Sequence, residues 1–436
     1  MTCKLPQNFI ERMKKQLGDE FTAFLRSYDE PSKRGLRVNT LKISVEDFLK
    51  LSDFSLEESG ILEEGFILKS DVKVKDDPYH LAGLYYMQEP SAMSPIEAAR
   101  IVPGMKVLDL CAAPGGKSGG VAVRLCGEGL LVSNEIVPSR AKILAGNLER
   151  LGITNSVVLS AHPDKLCRAL SGYFDVVLID APCSGEGMFR RDEKAVQEWS
   201  KEHVISCANR QREILTSAQE AVSLGGALIY STCTFSEEEN EQVIAWFLDS
   251  FTEFELEFMH RLYPHNSKGE GHFVARLIRV SGGRIKKQQN MELLRCKEKD
   301  FLKFMDDAFE TKPDLEAFSL RDGRIILKNK TMPLMSSLSN FKIISAGITA
   351  GEMLSNRFSP FHNLFMAALS RARFSKSLDF SKSDERLLRF LKGETLECDE
   401  GLKGYLPISV SGYNIGFGKA SQGIVKNHIP KGLRLL

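Results

Sequence analysis

The sequence predicts an α/β protein with a Rossmann-like core, a small α+β module before the core and a β-rich region after it. Between residues 103 and 233, apolar strand-like runs alternate with helical stretches, which is typical of βαβ units on a parallel sheet. The runs are continuous in Val, Leu and Ile, and this indicates strands that are covered on both faces. A Pro-Gly-Gly turn follows the first run, where a helix is expected to begin.

Composition bounds the class of protein. The chain has 436 residues, which suggests about three domains, and 43% of them are hydrophobic, too many for a disordered chain. Lys and Arg number 58, Asp and Glu number 57, and the formal charge is +1. So small a net charge provides no global field to steer a polyanion. Any contact with nucleic acid must therefore be local.

Neither a membrane segment nor a secretion signal is expected. No window approaches the roughly 18 apolar residues that span a bilayer, and the opening MTCKLPQNFIERMKKQ lacks the apolar core of a signal peptide. The nine cysteines are odd in number and include no C-x-x-C pair, which disfavours a disulfide framework and a zinc site. We therefore predict a cytoplasmic protein without a bound metal.

The elements are predicted in the following order. In residues 1–90, two amphipathic helical stretches (residues 9–17 and 20–28) precede a short basic strand, RGLRVNT. Residues 91–280 form the core, and its hairpin-like last pair is expected at residues 254–258 and 273–280. The strands of the parallel sheet are KVLDL, LLVSNE, SVVLS, FDVVLID and GALIYSTC, and the helices include GGVAVRLC and RAKILAGNLERL.

The last third of the chain follows SGGRIKKQQN, whose glycines and charges indicate a linker. We predict that residues 281–335 are linker and the start of a carboxy-terminal region, with a charged helical stretch near residues 291–319. Residues 336–436 are expected to form short strands and turns. From residue 401 onward there is no acid, and this one-sided charge favours contact with RNA phosphates over a solvated face. The basic residues there are Lys403, Lys419, Lys426, Lys431 and Arg434.

The most informative stretch is KVLDLCAAPGGKS, at residues 106–118. Its glycines let the backbone approach a ligand closely, and the helix start offers free N–H groups to an anionic group. Glu135 comes twenty residues after Gly115, at the tip of the next strand, where an acid can accept hydrogen bonds from ribose hydroxyls. The loop has neither the G-x-G-x-x-G of dinucleotide sites nor the P-loop pattern. S-adenosylmethionine is the nucleoside-bearing ligand that remains.

Two cysteines and an acid follow strands that end at this same edge of the sheet. FDVVLID ends at Asp180 and leads into APCSGEG, which contains Cys183, while GALIYSTC ends at Cys233. Because the carboxyl ends of parallel strands meet at one edge, we expect the three side chains to converge beside the cofactor loop. The cysteines interpreted as small buried hydrophobic residues are Cys126, Cys167 and Cys207.

Two thiols and a carboxyl group beside a methyl donor fit methyl transfer to an unactivated carbon. Carbon 5 of a pyrimidine becomes nucleophilic when a thiolate adds to carbon 6. The charge that develops on the ring needs a donor near ring nitrogen 3, which a carboxyl group that carries or shares a proton can supply. A base must then remove the carbon-5 proton before the thiol leaves. One cysteine, one acid and a second cysteine cover these tasks.

These motifs resemble those of the NOL1/NOP2/Sun family of RNA cytosine-5 methyltransferases, in particular its bacterial 16S ribosomal RNA branch. LDLCAAPGGKS, DAPCSGEGMFRRD and YSTCTFSEEENE are similar to the family's cofactor loop and its two cysteine motifs. RGLRVNTLK and YMQEPSAM resemble its amino-terminal signature, and PHNSKGEGHFVARL resembles the end of its catalytic domain. RFSPFHNLFMAAL and KNHIPKGLR resemble the PUA-like carboxy-terminal domain of the branch. The resemblance implies an S-adenosylmethionine-dependent methyltransferase core between two RNA-binding domains, residues 1–90 and 336–436.

By position, the resemblance implies that Cys233 attacks carbon 6, that Cys183 assists release of the methylated base and that Asp180 contacts the cytosine. It also implies 16S ribosomal RNA or the small ribosomal subunit as the partner, with no DNA expected. Arg140 matches an arginine that often follows the family's acid. The residues implied to hold S-adenosylmethionine are Cys111, Ala112, Ala113, Pro114, Gly115, Gly116, Lys117, Glu135, Arg140 and Asp180.

Several alternatives stay open. DNA cytosine-5 methyltransferases attack with the cysteine of a Pro-Cys motif, here Cys183, and spacing alone does not choose between the two cysteines. An inactive RNA-binding ribosome-assembly factor would be expected to have lost a catalytic side chain, and a transfer RNA is an alternative substrate. Where many family members place an acid near the adenine, this chain has Ala161 and His162, with Asp164 displaced. The adenine contact therefore stays open.

Overall fold

The amino-terminal helices pack on the core of the protein. The computed structural model describes residues 5–70, 74, 76–283, 286–355, 357–369 and 372–435. Helix α1 (Gln7–Leu17) buries Phe9 and Met13, which lie four positions apart and therefore on one face. Together with helix α2 (Phe21–Arg26), this face packs on aromatic residues of the core. Within the described residues, no helix is both long and apolar enough to cross a membrane.

The rest of the amino-terminal module is a four-stranded antiparallel sheet with the order β2-β3-β1-β4. The strands are β1 (Gly35–Val38), β2 (Leu56–Glu58), β3 (Gly65–Leu68) and β4 (Tyr85–Met87), and the helices are α3 (Val45–Leu51) and α4 (Pro78–Leu81). The predicted basic strand RGLRVNT is confirmed as β1, the inner strand between β3 and β4.

An eight-stranded sheet forms the core. Its strands β5 to β11 have the order β10-β11-β9-β8-β5-β6-β7, and strands β5 to β9 are parallel. The strands are β5 (Lys106–Asp109), β6 (Leu130–Asn134), β7 (Ser156–Ser160), β8 (Phe174–Asp180), β9 (Val222–Thr232), β10 (Phe254–Leu262) and β11 (His272–Arg279). The helices are α5 (Ser94–Ala99), α6 (Gly116–Leu125), α7 (Pro138–Leu151), α8 (Pro163–Ala169), α9 (Glu193–Glu198), α10 (Lys201–Ala218) and α11 (Glu241–Ser250). This arrangement confirms the predicted Rossmann-like core and its closing antiparallel pair.

The central strands are apolar on both faces, as their continuous Val, Leu and Ile runs predict. In β6, Leu130 and Val132 belong to the hydrophobic cluster on one side of the sheet, whereas Leu131 belongs to the cluster on the other side. Side chains alternate between faces along a strand, so one uninterrupted apolar run supplies both clusters. Polar side chains that bind or react are therefore expected at the ends of these strands.

The region after the core is richer in strands than the sequence predicts. The predicted helical stretch at residues 291–319 is wrong in extent, because only residues 299–308 are helical and paired strands flank them. The strands are β12 (Leu294–Arg295), β13 (Phe309–Thr311), β14 (Glu316–Ser319), β15 (Arg324–Lys328), β16 (Lys342–Ala346), β17 (Ile348–Leu354), β18 (Arg357–Pro360) and β19 (Arg373–Phe374), with helices α12 (Lys299–Ala308) and α13 (His362–Met366).

Strand β16 is the eighth strand of the large sheet. It pairs antiparallel with β7 and supplies the backbone partners that this edge strand would otherwise lack. Strands β12, β14, β15, β17 and β18 form a separate sheet, and β13 pairs with β19. Residues 336–436, which are predicted to form a separate carboxy-terminal domain, therefore contribute one strand to the core sheet as well as strands to the smaller sheets. The boundaries of the four predicted segments stay a prediction.

The two ends of the chain share one hydrophobic core. Leu36 and Phe48 of the amino-terminal module pack in the same cluster as Phe390 and Leu406 of the carboxy-terminal sheet. That sheet has the order β20-β22-β23-β24-β21. Its elements are β20 (Leu378–Phe380), α14 (Glu385–Leu391), β21 (Leu396–Glu397), β22 (Gly404–Val410), β23 (Tyr413–Ser421) and β24 (Ile424–Asn427).

Candidate active site

A cleft of about 1020 Å³ opens at the carboxyl edge of the large sheet. It lies where β5 has β6 on one side and β8 on the other, the crevice in which open α/β sheets hold their ligands. The predicted convergence is confirmed, since side chains from four strand ends meet there. The predicted site residues on the cleft wall are Cys111, Ala113, Glu135, Arg140, Asp180, Cys183 and Cys233.

The loop after β5 is held from beneath by buried polar groups. Ser118 donates a hydrogen bond of 2.7 Å to Asp109 Oδ2, whereas Oδ1 is buried without a partner in the described part of the chain. Burial raises the pKa of Asp109 to about 7. Gly115 has φ +114°, which disfavours any other residue, and a Cβ atom there would lie 3.1 Å from Leu144. The loop therefore needs glycine at this turn.

Glu135 and Arg140 connect two walls of the cleft. Glu135 is 4% exposed, and its carboxylate accepts a hydrogen bond of 2.9 Å from the Val137 amide. Its second oxygen lies 3.1 Å from the Arg140 guanidinium. Arg140 also donates to the Ala113 carbonyl at 3.1 Å, so the tip of β6 is joined to the loop after β5.

Asp180 forms an ion pair with Lys117, whose Nζ lies 2.6 Å from Oδ2, and Ser231 donates to Oδ1 at 3.0 Å. Burial would raise the pKa of Asp180, but the charge of Lys117 outweighs it and the pKa lies below its usual value. The ring of His272 is 3.7 Å from Oδ1, too far for a hydrogen bond, and burial lowers its pKa to about 3. At neutral pH, Asp180 is therefore ionised beside a neutral imidazole.

The sulfur atoms of Cys183 and Cys233 are 3.3 Å apart. The hydrogen bond to Cys233, together with burial, raises the pKa of Cys183 well above that of an ordinary thiol. Two cysteines that are fifty positions apart in the sequence thus act on each other directly in the folded protein.

Glu239 holds the loop that carries Cys183. Its Oε2 accepts hydrogen bonds from the Ser184 amide at 3.0 Å and from Gln211 at 2.8 Å, and Gln211 also donates to the Pro182 carbonyl at 3.0 Å. Burial raises the pKa of Glu239 to about 7. Hydrogen bonds thus fix the residues on both sides of Cys183.

The segment around Cys233 is held by a tight backbone approach. The Gly187 amide donates to the Cys233 carbonyl at 2.8 Å, and a Cβ atom at residue 187 would lie only 2.9 Å from that oxygen. The buried carboxylate of Glu186 accepts from the Phe235 amide at 2.9 Å and from the Trp199 ring at 2.7 Å. Arg12 of α1 pairs with the same carboxylate, so the amino-terminal helix supports the cysteine loops.

Some predicted cofactor residues do not reach the cleft. Lys117 contributes to the cleft only by its ion pair with Asp180. Gly116 packs against the ring of Tyr86, which would lie 3.1 Å from a Cβ atom at residue 116. Of the cysteines interpreted as buried, Cys126 is exposed, because it follows the last turn of α6, and this interpretation was wrong. The other two, Cys167 and Cys207, are buried. The predicted cofactor residues absent from the cleft wall are Ala112, Pro114, Gly115, Gly116 and Lys117.

Other site residues were not predicted from the sequence. Ser231 and His272 lie against Asp180, and Glu239 lies beneath Cys183, yet none of them stands out as a spacing pattern. The position left open for the adenine is occupied by His162 and Asp164, which both line the cleft. Their only sequence signal is their place directly after β7.

Three family models match successive parts of the chain. Residues 5–90 match the N-terminal domain of 16S rRNA methyltransferase RsmF, residues 99–278 match the 16S rRNA methyltransferase RsmB/F model, and residues 377–435 match the RsmF PUA domain. The predicted PUA-like character of the carboxy-terminal region is thereby confirmed.

Similar proteins agree with these matches. The chain is 30% identical to ribosomal RNA small subunit methyltransferase F of Vibrio vulnificus strain YJ016, over 98% of this chain and 97% of that one. A methyltransferase homologue from Pyrococcus horikoshii has a TM-score of 0.57 at 30% identity, over 64% of this chain and 96% of that one. NSun6 from Pyrococcus horikoshii, solved with SFG, shares the fold at 21% identity, with a TM-score of 0.56 over 65% of this chain and 100% of that one.

Proposed function

The chain belongs to the RsmB/F family of 16S rRNA methyltransferases, and from this premise we propose that it methylates carbon 5 of cytosine in 16S ribosomal RNA through a covalent cysteine adduct. S-adenosylmethionine is the methyl donor. The observation that carries the proposal is the pair of sulfur atoms 3.3 Å apart beside an ionised Asp180. An inactive assembly factor would have no need to keep all three side chains in one cleft.

The cleft fits S-adenosylmethionine in size and in donor chemistry. We propose that Glu135 accepts hydrogen bonds from the ribose hydroxyls, because its carboxylate lies at the tip of β6 and lines the cleft. Cys111 and Ala113 then form the wall beside the ligand, and Arg140 holds Glu135 in place. His162 and Asp164 are the candidates for the adenine contact. When bound, the cofactor supplies an electrophilic methyl group.

We assign the attack on carbon 6 to Cys233. The assignment follows the resemblance of YSTCTFSEEENE to a cysteine motif of the family, and the raised pKa of Cys183 disfavours the thiolate form of that residue. The electron pair of the new S–C6 bond displaces the ring π electrons toward carbon 5, and carbon 5 then takes the methyl group. The family resemblance thus favours this assignment over the Pro-Cys alternative.

Asp180 orients the cytosine and transmits a proton. Because Lys117 holds its carboxylate in the ionised form, Asp180 first accepts a hydrogen bond from the exocyclic amine of the base. The negative charge that develops at ring nitrogen 3 is met through Asp180, which shares a proton of the Lys117 ammonium at 2.6 Å. Lys117 is therefore the source of the proton that Asp180 offers to the base.

Release of the product requires the carbon-5 proton to leave. We propose that Cys183 takes part in this step, since its sulfur is 3.3 Å from the sulfur bonded to carbon 6. The carbon-5 proton passes to solvent with the help of the Cys183 sulfur, its C–H electron pair restores the C5–C6 double bond, and the S–C6 bond breaks. The sulfur of Cys233 regains its electron pair, and the products are free 5-methylcytosine and the original enzyme.

The terminal domains are proposed to hold the RNA, and the protein is proposed to act in the cytoplasm. The basic residues after residue 401 include Lys419 and Lys426, which pair across β23 and β24 and so lie side by side. Phosphate contacts of this kind supply affinity without sequence preference.

The proposal is tested by incubating the purified protein with S-adenosylmethionine and either 16S rRNA, the small ribosomal subunit or a transfer RNA, followed by mapping of 5-methylcytosine. We expect the modification in ribosomal RNA. If only transfer RNA is modified, the substrate is transfer RNA and the proposed ribosomal RNA substrate is wrong. No modification of any RNA, with S-adenosylmethionine still bound, would favour the assembly factor.

Glu135→Ala should weaken binding of S-adenosylmethionine by about 1–3 kcal/mol, roughly 5- to 150-fold, because the ribose hydroxyls and Arg140 both lose their partner. Calorimetric titration of the cofactor measures the change. The matched control is Glu128→Ala, the same substitution before the opposite end of β6. Equal affinity in the two variants would remove Glu135 from the cofactor site.

A further inference from the structure

A second cleft, the interdomain cleft, lies between the core and the carboxy-terminal region. Its volume is about 420 Å³, and helix α7, strand β16 and strand β23 all contribute to its wall. Glu149, at the last turn of α7, and Ser156, at the first residue of β7, line it. The cofactor cleft is at the carboxyl end of β7, so the interdomain cleft is at the opposite edge of the sheet. It is separate from the site described above.

A column of aromatic rings ends at this cleft. Phe309 stacks on Phe374, Phe374 on Phe365, and Phe365 on Phe417, with centroid distances of 4.3, 5.4 and 4.3 Å. Phe417 lines the interdomain cleft. The rings of His428 and His362 lie against Phe417 at 5.5 and 6.2 Å and line the cleft as well. Phe417 is 2% exposed, so the accessible ring at this end of the column is that of His428, which is exposed.

Two titratable side chains, His362 and Glu149, line the cleft. His362 is 8% exposed, and its Nδ1 atom has no hydrogen-bond partner in the described part of the chain. Burial, with the charge of Lys42, lowers the pKa of His362 to about 4, so the ring is neutral. Burial raises the pKa of Glu149 to about 7, and no charged neighbour contributes to that shift. Glu149 is half-buried, so its carboxylate is the polar group of the two that a ligand in the cleft can reach.

The mouth of the cleft is basic on the carboxy-terminal side. The charges of Lys419, Arg434 and Lys426 all act on His428, which lines the cleft. Lys419 also lies over the ring of Tyr405 at 5.0 Å, and Tyr405 contacts His428 at 5.4 Å. The His428 ring is exposed and the Tyr405 ring is half-buried. Cations beside accessible aromatic rings are the combination with which proteins hold single-stranded RNA.

We propose that the interdomain cleft binds one unstacked base of the RNA substrate, away from the cytosine that is methylated, and that guanine fits it best. The base stacks on the exposed ring of His428, while Lys419, Lys426 and Arg434 contact the phosphates next to it. Guanine presents two adjacent donors, N1–H and the N2 amine, to the half-buried Glu149 carboxylate. The inference rests on the proposed function only in that RNA supplies the base.

The test uses the full chain in two measurements. Calorimetric titration with GMP, AMP, CMP and UMP measures the affinity of the cleft for each base. Steady-state methylation of 16S rRNA measures how much the cleft contributes to the KM for RNA. We expect GMP to bind tightest, and Glu149→Gln to weaken GMP binding about tenfold and to raise the KM for RNA by a similar factor. The kcat should change less than the KM, because the cleft is remote from the cysteines. The control, Glu255→Gln on exposed strand β10, should change neither.

A second variant, Ser345→Trp, fills the interdomain cleft from β16 and should act like Glu149→Gln. If Glu149→Gln and Ser345→Trp leave both the GMP affinity and the KM unchanged, the proposal is wrong. GMP binding that is lost in Glu149→Gln without a change in KM would mean a site for a free nucleotide, which also overturns it. A wild-type protein that methylates no RNA would refute the proposed function, while the GMP titration would still decide whether the cleft takes a base.

Discussion

Cys233→Ala is expected to abolish methylation of RNA, with a fall in rate of at least about 1,000-fold, because the variant lacks the sulfur that we propose forms the bond to carbon 6. Binding of S-adenosylmethionine should stay within about twofold of the wild type, since the nucleophile acts on the base and the cofactor is held elsewhere in the cleft. Transfer of a labelled methyl group to 16S rRNA measures the first quantity, and calorimetric titration measures the second.

The matched control for this variant is Cys126→Ala, which removes an exposed thiol outside the cleft and should change neither quantity. The Pro-Cys alternative makes the opposite forecast. If Cys233→Ala keeps full activity while Cys183→Ala loses it, the roles of the two cysteines are reversed. If both single variants keep activity, no covalent adduct is formed.

Cys183→Ala should trap the enzyme on its RNA. Attack by Cys233 and methylation can proceed in this variant, but release cannot, because the group 3.3 Å from the bonded sulfur is missing. The adduct should appear as a slower band in denaturing electrophoresis and should require S-adenosylmethionine. Multiple turnover should be lost, whereas a single round of methyl transfer should remain.

The double variant Cys183→Ala, Cys233→Ala is the control, since it leaves neither thiol to form the bond, and the slower band should disappear. A band that persists in the double variant would identify some other nucleophile. A single Cys183→Ala variant that turns over normally would show that the carbon-5 proton leaves without help from this sulfur.

The cofactor side of the site could be predicted in advance because it depends on local structure. Strand β5, the turn at Gly115 and helix α6 occupy adjacent residues, and Glu135 follows at the end of the next strand. Parallel strands joined by helices must place their carboxyl ends at one edge, whatever the details of packing. Asp180, Cys183 and Cys233 could be placed at that edge for the same reason.

Contacts between distant segments could not be predicted in the same way. Hydrophobic patterning shows that a side chain is buried but not what it is buried against, so the shared core of Leu36 and Phe390 was not foreseen. The pairing of β16 with β7 could not be predicted from the sequence either, because an edge strand can pair with any extended segment that has free backbone groups.

The sequence by itself therefore determined the fold of the core, the chemistry of its cofactor loop and the set of reactive side chains. Only the tertiary structure decided the distance of 3.3 Å between the two sulfur atoms and the ionised state of Asp180 beside Lys117. It also decided the hydrogen bond by which Glu239 holds the loop that carries Cys183. These properties depend on distance and on burial, since both set the strength of a charge or a hydrogen bond. Distance and burial arise only when segments far apart in the chain pack together.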